Sequence, residues 1–467
     1  LQSEHRIDRA PGAGTTSAAY RAVWRWHFYA GLFCIPFILW LAVTGSIYLF
    51  KPQIDAFIDR PYAELPFSPP ARSPQAQVAA ALTAVPGTTL NAYQIPQTPR
   101  SAAQILVGRG SDVYRVYVHP KTLHVLKVVA EQQRFSNRVS ALHGELLLGN
   151  RGSMLIELAA SWGIVMVLTG LFLWWPRNAR SLGGVLYPRL MRGRILWRDL
   201  HGVTGFWVSL FALFFLVSGL PWTASWGGLL QKVRSVAAPV AMKAAWPTGS
   251  AGEARARAAE NAMPDMPGMP SRPSIERQVP VDNDMLDRLV PIVTRLDLPF
   301  PVLIAPPSQA ATLWTARSQA QNRPMRVEMT FDTPSAAIRT RSGFGQLPLL
   351  DRVVAVGVAA HEGQLFAPVN QALGLLIALA LVTVTVSAAV LWWNRRPASV
   401  LGAPRPLAGQ RLSAYVIVAI VALGVVLPLF GASLVAVIVA ERALLRRIPP
   451  VRQFLGLSTD AVGAVAP

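Results

Sequence analysis

WRWHFYAGLFCIPFILWLAVTGSIYLF, residues 24–50, opens on an aromatic, basic preamble and then runs uncharged for 23 residues from Phe28 to Phe50. A helix needs ~20 apolar residues to cross a bilayer, so this stretch is read as a membrane span. One histidine, His27, stands at its edge. The stretch recurs near position 200 as WRDLHGVTGFWVSLFALFFLVSGLPW. Aligning His201 on His27 puts Gly205 on Gly31, Ser218 on Thr44 and Gly219 on Gly45. Two further runs match each other. His143 to Trp174 and His361 to Trp392 are both 31 residues, with Thr169-Gly170 and Ser387-Ala388 at equal offsets. Leu-Trp-Trp closes both. The chain therefore reads as two copies of one pattern: a histidine-led span going out, an external module, and a histidine-led span coming back.

Composition agrees. Of 467 residues 52% are hydrophobic and only 15% charged, against about 25% charged in soluble chains. The net charge of +20 comes largely from arginines in short loops beside apolar runs. Such charge sets topology and meets anionic headgroups, and no nucleic-acid partner is inferred. The one cysteine, Cys34, lies inside the first span. It leaves no intrachain disulfide, CxxC metal site or cysteine-ligated iron–sulfur cluster. No cleavable signal peptide is expected, since a polar arm precedes a span too long for a signal core.

The expected fold class is a polytopic α-helical membrane protein. A four-helix haem-binding bundle from the duplication would carry a C-terminal apolar helix and two periplasmic α+β modules. The expected order begins with a cytoplasmic arm (1–26), a first span (27–50) and module one (51–142). A second span with its lead-in (143–176), an Arg-rich loop (177–200) and a third span (201–224) follow. Module two (225–355) contains a Met/Pro/Ala segment (248–275) that reads as disordered. A fourth span with its lead-in (356–394), a loop (395–412), a fifth apolar run (413–440) and a tail (441–467) complete the chain. Loop 177–200 has six arginines against one aspartate, and loop 394–411 has four and no acid. Both should be cytoplasmic, placing the modules outside. Strand patterns are read at 101–108, 301–306 and 311–316. A hairpin is read over 112–129 around Pro120, and more strand character over 325–340. As one helix the fifth run would be about 42 Å long, and two full spans would need roughly 40 residues. A single kinked or tilted helix is preferred, with a re-entrant segment broken at Pro428 as the alternative.

Four of the seven histidines lead the four repeated spans. Imidazole ligates iron, copper and zinc, and two from facing helices can hold a haem. His27 with His201 would form an inner site, and His143 with His361 an outer one. On an unbroken helix, His143 would stand ~16 Å above Met154. Gly31 and Gly205 would leave room for a macrocycle. Thr44-Gly45, Ser218-Gly219 and Thr169-Gly170 are read as close helix packing. Zinc is disfavoured, because no carboxylate or thiol cluster completes a tetrahedral shell. Interfacial histidines reaching headgroups, or a proton relay, remain as alternatives, although relays usually use intramembrane acids.

Arg25 and Arg198 precede the inner histidines and are candidate partners of haem propionates, or topology arginines. Glu145 and Glu362 follow the outer histidines and would support them or simply be solvated. Met263, Met266 and Met269 are thioethers of the kind that suit Cu(I), in a stretch read first as linker. His119 and His124 flank a hairpin turn and read as surface. Trp24, Trp26, Trp174, Trp175, Trp392 and Trp393 read as interfacial belts. There is no GxGxxG after a strand and no P-loop, so electrons would come from a partner or from membrane quinol.

At these residues the chain resembles the PepSY-associated transmembrane family of iron-regulated inner-membrane proteins. That family includes ferric-siderophore reductases of the ferrioxamine-reductase kind. The resemblance covers roughly residues 20–396. It rests on WRWHFYAGL…TGSIYLF, VYVHPKTLHVLKV (116–128), LHGELLLG (142–149), WRDLHGVTGFW (197–207), MTFDTPSAAI (329–338) and AHEGQLF (360–366). The family hairpin usually has Asp-Pro and a Gly-containing turn. Here the first copy has His119-Pro120 and the second Asp332-Thr333-Pro334, so the modules look like divergent PepSY folds. The resemblance implies two haems b on the span histidines and electron transfer to a periplasmic ferric siderophore or other ferric chelate, releasing Fe(II). The donor would be quinol or a cytoplasmic reductase. A quinol-linked b cytochrome with another acceptor, and a non-redox PepSY sensor or scaffold, are the other readings. No catalytic side chain is assigned.

Overall fold

The computed structural model describes residues 15–67, 69–109, 111–177, 181–237, 284–307, 313–333, 335–404 and 413–457. The Met263/Met266/Met269 segment lies outside them. The helices are α1 Thr15–Leu49, α2 Lys51–Asp59, α3 Pro74–Ala84, α4 Phe135–Glu145, α5 Asn150–Trp174, α6 Arg194–Gly219 and α7 Ala224–Ala237. They continue as α8 Asp284–Arg295, α9 Leu349–His361, α10 Pro368–Arg395, α11 Ala414–Val426, α12 Pro428–Ala440 and α13 Pro449–Phe454. The chain divides into two compact units. The first comprises Leu1–Ser46, His143–Ala237 and Leu375–Pro467, and the second Ile47–Leu142 and Ala238–Gly374.

Among the described residues five helices are long and apolar enough to cross a bilayer: Ala19–Leu49, Asn150–Trp174, Arg194–Trp222, Pro368–Arg395 and Pro428–Leu445. The chain is a multi-pass membrane protein. The first helix begins at Thr15, ahead of the expected boundary at residue 27. Ala, Arg and Trp at 18–26 favour continuing the helix over ending it.

The fifth apolar run is not one helix. It breaks at Leu427 (φ −119°, ψ 81°) ahead of Pro428, leaving two 13-residue helices. A proline cannot continue the N–H ladder of the helix before it. Gly424 and Gly431 then meet: a Cβ on Gly431 would come within 2.7 Å of the Gly424 carbonyl oxygen. The tip packs Leu427 and Phe430 onto Ala160, Ile164 and Leu220, and the Trp162 indole donates to Ser433 Oγ (3.0 Å). The two ends of the run lie together. Leu401 N–H donates to the Phe454 carbonyl (2.8 Å), and Arg25 Nη1 donates to the carbonyls of Pro404 (2.8 Å) and Gly456 (2.9 Å). The run is thus a helical hairpin and not a single kinked helix, broken at Leu427–Pro428 where the re-entrant alternative put the break.

The second unit carries a single eight-stranded antiparallel sheet in the order β4-β3-β2-β1-β5-β6-β7-β8. Its strands are Thr89–Gln94, Ala103–Arg109, Asp112–Val118, Val125–Ala130, Val302–Ala305, Trp314–Ser318, Val327–Phe331 and Ile338–Gly343, β1 to β8 in turn. The two expected modules are therefore halves of one sheet. Each half is a helix followed by four strands, and β1 pairs with β5 (Tyr93 with Ile304, Gln94 with Leu303). An unpaired edge strand exposes free N–H and C=O groups, and this pairing covers one edge of each half. Alternate residues face the core: Ile105 and Val107, Val116 and Val118, Trp314 and Ala316, Met329 and Phe331. Val78 and Ala81 of α3 and Leu286, Leu289 and Val293 of α8 pack on them.

On β3, Arg115 donates from Nε and Nη2 to both oxygens of Glu131 (2.9 and 3.0 Å). Both side chains are buried, at 5% and 3% exposure. Burial alone would raise the Glu131 carboxyl, but the Arg115 charge and hydrogen bonds outweigh it and hold the carboxyl below its ordinary value. Its stabilisation is therefore complete above the unfolded value of about 4.3 and is lost as pH falls through the folded value. Arg115→Met should cost about 3–5 kcal/mol, since it strands a buried carboxylate. Hydrogen exchange of β2–β4 in the full-length protein should accelerate below pH ~4 in the wild type. Glu131→Gln should lack that acid limb.

Candidate functional site

α1 and α6 bring His27 and His201 together, their ring centroids 6.2 Å apart and their planes at 69°. Each ring is fixed by its Nδ1. His27 Nδ1 lies 3.0 Å from the Met166 carbonyl and 3.1 Å from Thr169 Oγ1, both on α5. His201 Nδ1 lies 3.0 Å from the Val384 carbonyl on α10. A carbonyl only accepts, so Nδ1 carries the hydrogen in both rings. In the neutral ring Nε2 then keeps its lone pair, the tautomer that binds a metal.

Both imidazoles line a cavity of about 1140 Å³ between α1, α5, α6 and α10, floored by the loop after α5. Gly31 and Gly205 line it too. A Cβ on Gly31 would meet nothing within 4 Å, and one on Gly205 only the Val384 methyl at 4.0 Å. The open space one turn beyond each histidine is thus present. Trp174 stacks on Phe206 (3.8 Å, 8°) and donates its indole N–H to the Val185 carbonyl (3.1 Å). Trp392, at the matching place, donates to the Leu401 carbonyl (2.9 Å). These two tryptophans line the cavity and tie down its loops, which goes beyond an interfacial belt.

The arginines sort differently from expectation. Arg198 lines the cavity, as do Arg194 and Arg395. Arg25 is not among the lining residues. It holds the carbonyls of Pro404 and Gly456 and lies 5.1 Å from the Tyr29 ring. Arg189, also at the cavity, is paired to the buried Asp199 through Nε (2.7 Å) and Nη2 (3.0 Å), which fixes the loop.

His143 ends α4, and its Nδ1 lies 2.9 Å from Thr44 Oγ1. The Thr44 hydroxyl hydrogen is directed to the Trp40 carbonyl (2.7 Å), so Thr44 accepts from the imidazole. The lead-in is not an extension of α5. Leu146, Leu147 and Gly149 all have φ between 51° and 58°, and they break the helix between His143 and Asn150. The ring is thereby delivered to α1 instead of standing ~16 Å above the span. His361, at the C-terminus of α9, belongs to the second unit. Burial lowers it to about 4, so it is neutral at pH 7, the form that ligates metal. In the same unit Glu362 faces Arg323 at 3.5 Å. The Glu145 carbonyl accepts from Leu148 N–H. His119 Nδ1 accepts from the N–H groups of Lys121 and Thr122 within its exposed turn.

The Thr-Gly pairs were read as helix packing, and the structure gives them another place. A Cβ on Gly170 would lie 3.1 Å from His27 Cε1, and one on Gly45 would lie 3.1 Å from His143 Cε1. Each pair cradles an imidazole, the hydroxyl on Nδ1 and the glycine under the ring edge. The available signal is that each recurs at the same offset in the second copy, Thr44 with Ser218 and Thr169 with Ser387.

The pair was tested as a metal site. Two metal–nitrogen bonds of about 2.0–2.1 Å leave roughly 2 Å of the 6.2 Å separation for the two nitrogen-to-centroid half-rings. Among the described residues no three His, Cys, Asp or Glu side chains converge. A metal shared by His27 and His201 would bring its own remaining ligands, as a haem does. The residues present fit that group.

A family described as PepSY-associated TM region matches residues 24–395. None of the curated proteins matches.

Proposed function

The chain belongs to the PepSY-associated transmembrane family, and from that premise we propose a di-haem b oxidoreductase of a bacterial inner membrane that reduces a periplasmic ferric chelate. The observation that carries this reading is the His27–His201 pair, two Nδ1-anchored imidazoles with ring centroids 6.2 Å apart on a 1140 Å³ cavity. The repeat in the sequence supplies two further span-leading histidines, His143 and His361, as the candidates for a second haem.

His27 and His201 would hold the inner iron through Nε2. Met166, Thr169 and Val384 keep each Nδ1 protonated and each ring oriented. Arg198, Arg194 and Arg395 offer guanidinium groups to the carboxylates of a haem in the same cavity. Haem supplies one-electron transfer when bound. The net reaction delivers one electron to each chelated Fe(III), drawn from quinol or a cytoplasmic reductase. A ferric siderophore suits this chemistry. Fe(III) is hard and tightly held by oxygen donors, while Fe(II) is softer and released.

The purified protein, reduced with dithionite under argon, should be reoxidised by a ferric hydroxamate siderophore, with Fe(II) trapped by ferrozine. Reoxidation by quinone or oxygen alone would favour the quinol-linked cytochrome. Absence of a Soret band would leave the non-redox sensor or scaffold.

A further inference from the structure

We propose that Thr169 and Thr44 are positioning residues that set the reduction potentials of the inner and outer haem sites respectively. This rests on the di-haem reading. Each threonine directs its hydroxyl hydrogen into its own helix: Thr169 to the carbonyls of Val165 (2.8 Å) and Met166 (3.0 Å), and Thr44 to that of Trp40 (2.7 Å). Such back-bonding alone is ordinary for threonine in a helix. What sets these two apart is the imidazole nitrogen at 3.1 Å from Thr169 and 2.9 Å from Thr44. With its hydrogen committed, each hydroxyl can only accept from the ring N–H. An acceptor on Nδ1–H makes Nε2 a stronger electron donor, which favours the oxidised metal. Removing the hydroxyl therefore raises the potential, by less at His27, where the Met166 carbonyl 3.0 Å from the same Nδ1 shares the hydrogen and remains.

The arrangement is reciprocal. His27 on α1 is held by Thr169 on α5, and His143, leading into α5, is held by Thr44 on α1. The two hydroxyls lie on different helices and touch different rings, so the two potentials can be moved separately. Gly170 and Gly45, next in the chain, give each ring edge the room to reach its hydroxyl. In the second copy the same position is Ser387, whose hydroxyl donates to the Val384 carbonyl that His201 also uses (2.9 Å).

Valine keeps the shape and β-branch of threonine and removes the acceptor. Potentiometric titration of Thr44→Val should raise the outer haem by about tenfold in its reduction equilibrium, 59 mV for one electron, and leave the inner haem in place. Thr169→Val should raise the inner haem by a smaller amount, because the Met166 carbonyl still accepts from His27, and leave the outer haem in place. Thr169→Ser and Thr44→Ser should titrate as wild type. The inner haem is identified as the one missing from His27→Ala. Two haems present with unmoved potentials in both valine variants would overturn the inference and leave the di-haem reading standing. If valine costs the haem itself, restoration of haem and wild-type potential by serine supports the role, and failure of serine overturns it. No haem in the wild type would overturn the underlying reading as well.

Discussion

His27→Ala and His201→Ala should each lower the haem-to-protein ratio from two to one, with the Soret amplitude falling by about half. Each removes one of two imidazoles that meet across 6.2 Å. Support residues around a metal typically contribute 10–100-fold in affinity, so removing the ligand itself should cost more. His119→Ala and His124→Ala are the controls. Both residues flank a hairpin turn, His124 exposed and His119 half-buried against Phe67, and both variants should retain two haems. Full haem content in His27→Ala and His201→Ala would reject the ligand assignment while leaving the fold untouched.

Gly152→Ala should be the most damaging single-methyl change in the membrane unit. A Cβ there would lie 1.7 Å from the Glu145 carbonyl oxygen and 2.5 Å from its carbon. The obstacle is backbone, so no rotamer change relieves it. The cost should exceed the ~1–3 kcal/mol of ordinary overpacking. The clash forces the end of α4 away from the start of α5, and it is this joint that delivers His143 to Thr44. The variant should lose the outer haem, keep the inner one, and melt at a lower temperature. Gly144→Ala is the matched control: its Cβ would enter open space, and both readouts should stay at wild type. A Gly152→Ala protein with two haems and a wild-type melting temperature would contradict this account of the joint.

The first four spans were legible because apolar length and terminal Trp pairs are local properties of the chain. The histidine-led repeat was legible because an offset is visible without a structure. Three things were not. The TLNAYQ run of β1 alternates poorly, and its strand character comes from pairing with β2 and with the distant β5. The same long-range pairing merges two modules into one sheet, and no local pattern encodes it. Arg25 and Arg198 look alike in sequence, two and three residues before a histidine. Standing two residues before His27 on α1 and three before His201 on α6, they leave their helices in different directions, one to carbonyls of the C-terminal segment and the other to the cavity. Thr44 and Thr169 were found by their spacing but given the commoner role of small residues in membranes. A hydroxyl's partner across a helix pair depends on rotation about the helix axis, which spacing along one helix does not determine. The fifth run was ambiguous for a simpler reason. Its length suits neither one span nor two, and contact between Gly424 and Gly431 decides between a kink and a reversal.

Haem stoichiometry of the purified wild-type protein tests the central claim most directly. A pyridine haemochromogen assay against amino-acid analysis should give two haems b per chain, one for each copy of the repeat. A ratio of zero, in protein that is folded by its melting curve, would contradict the account.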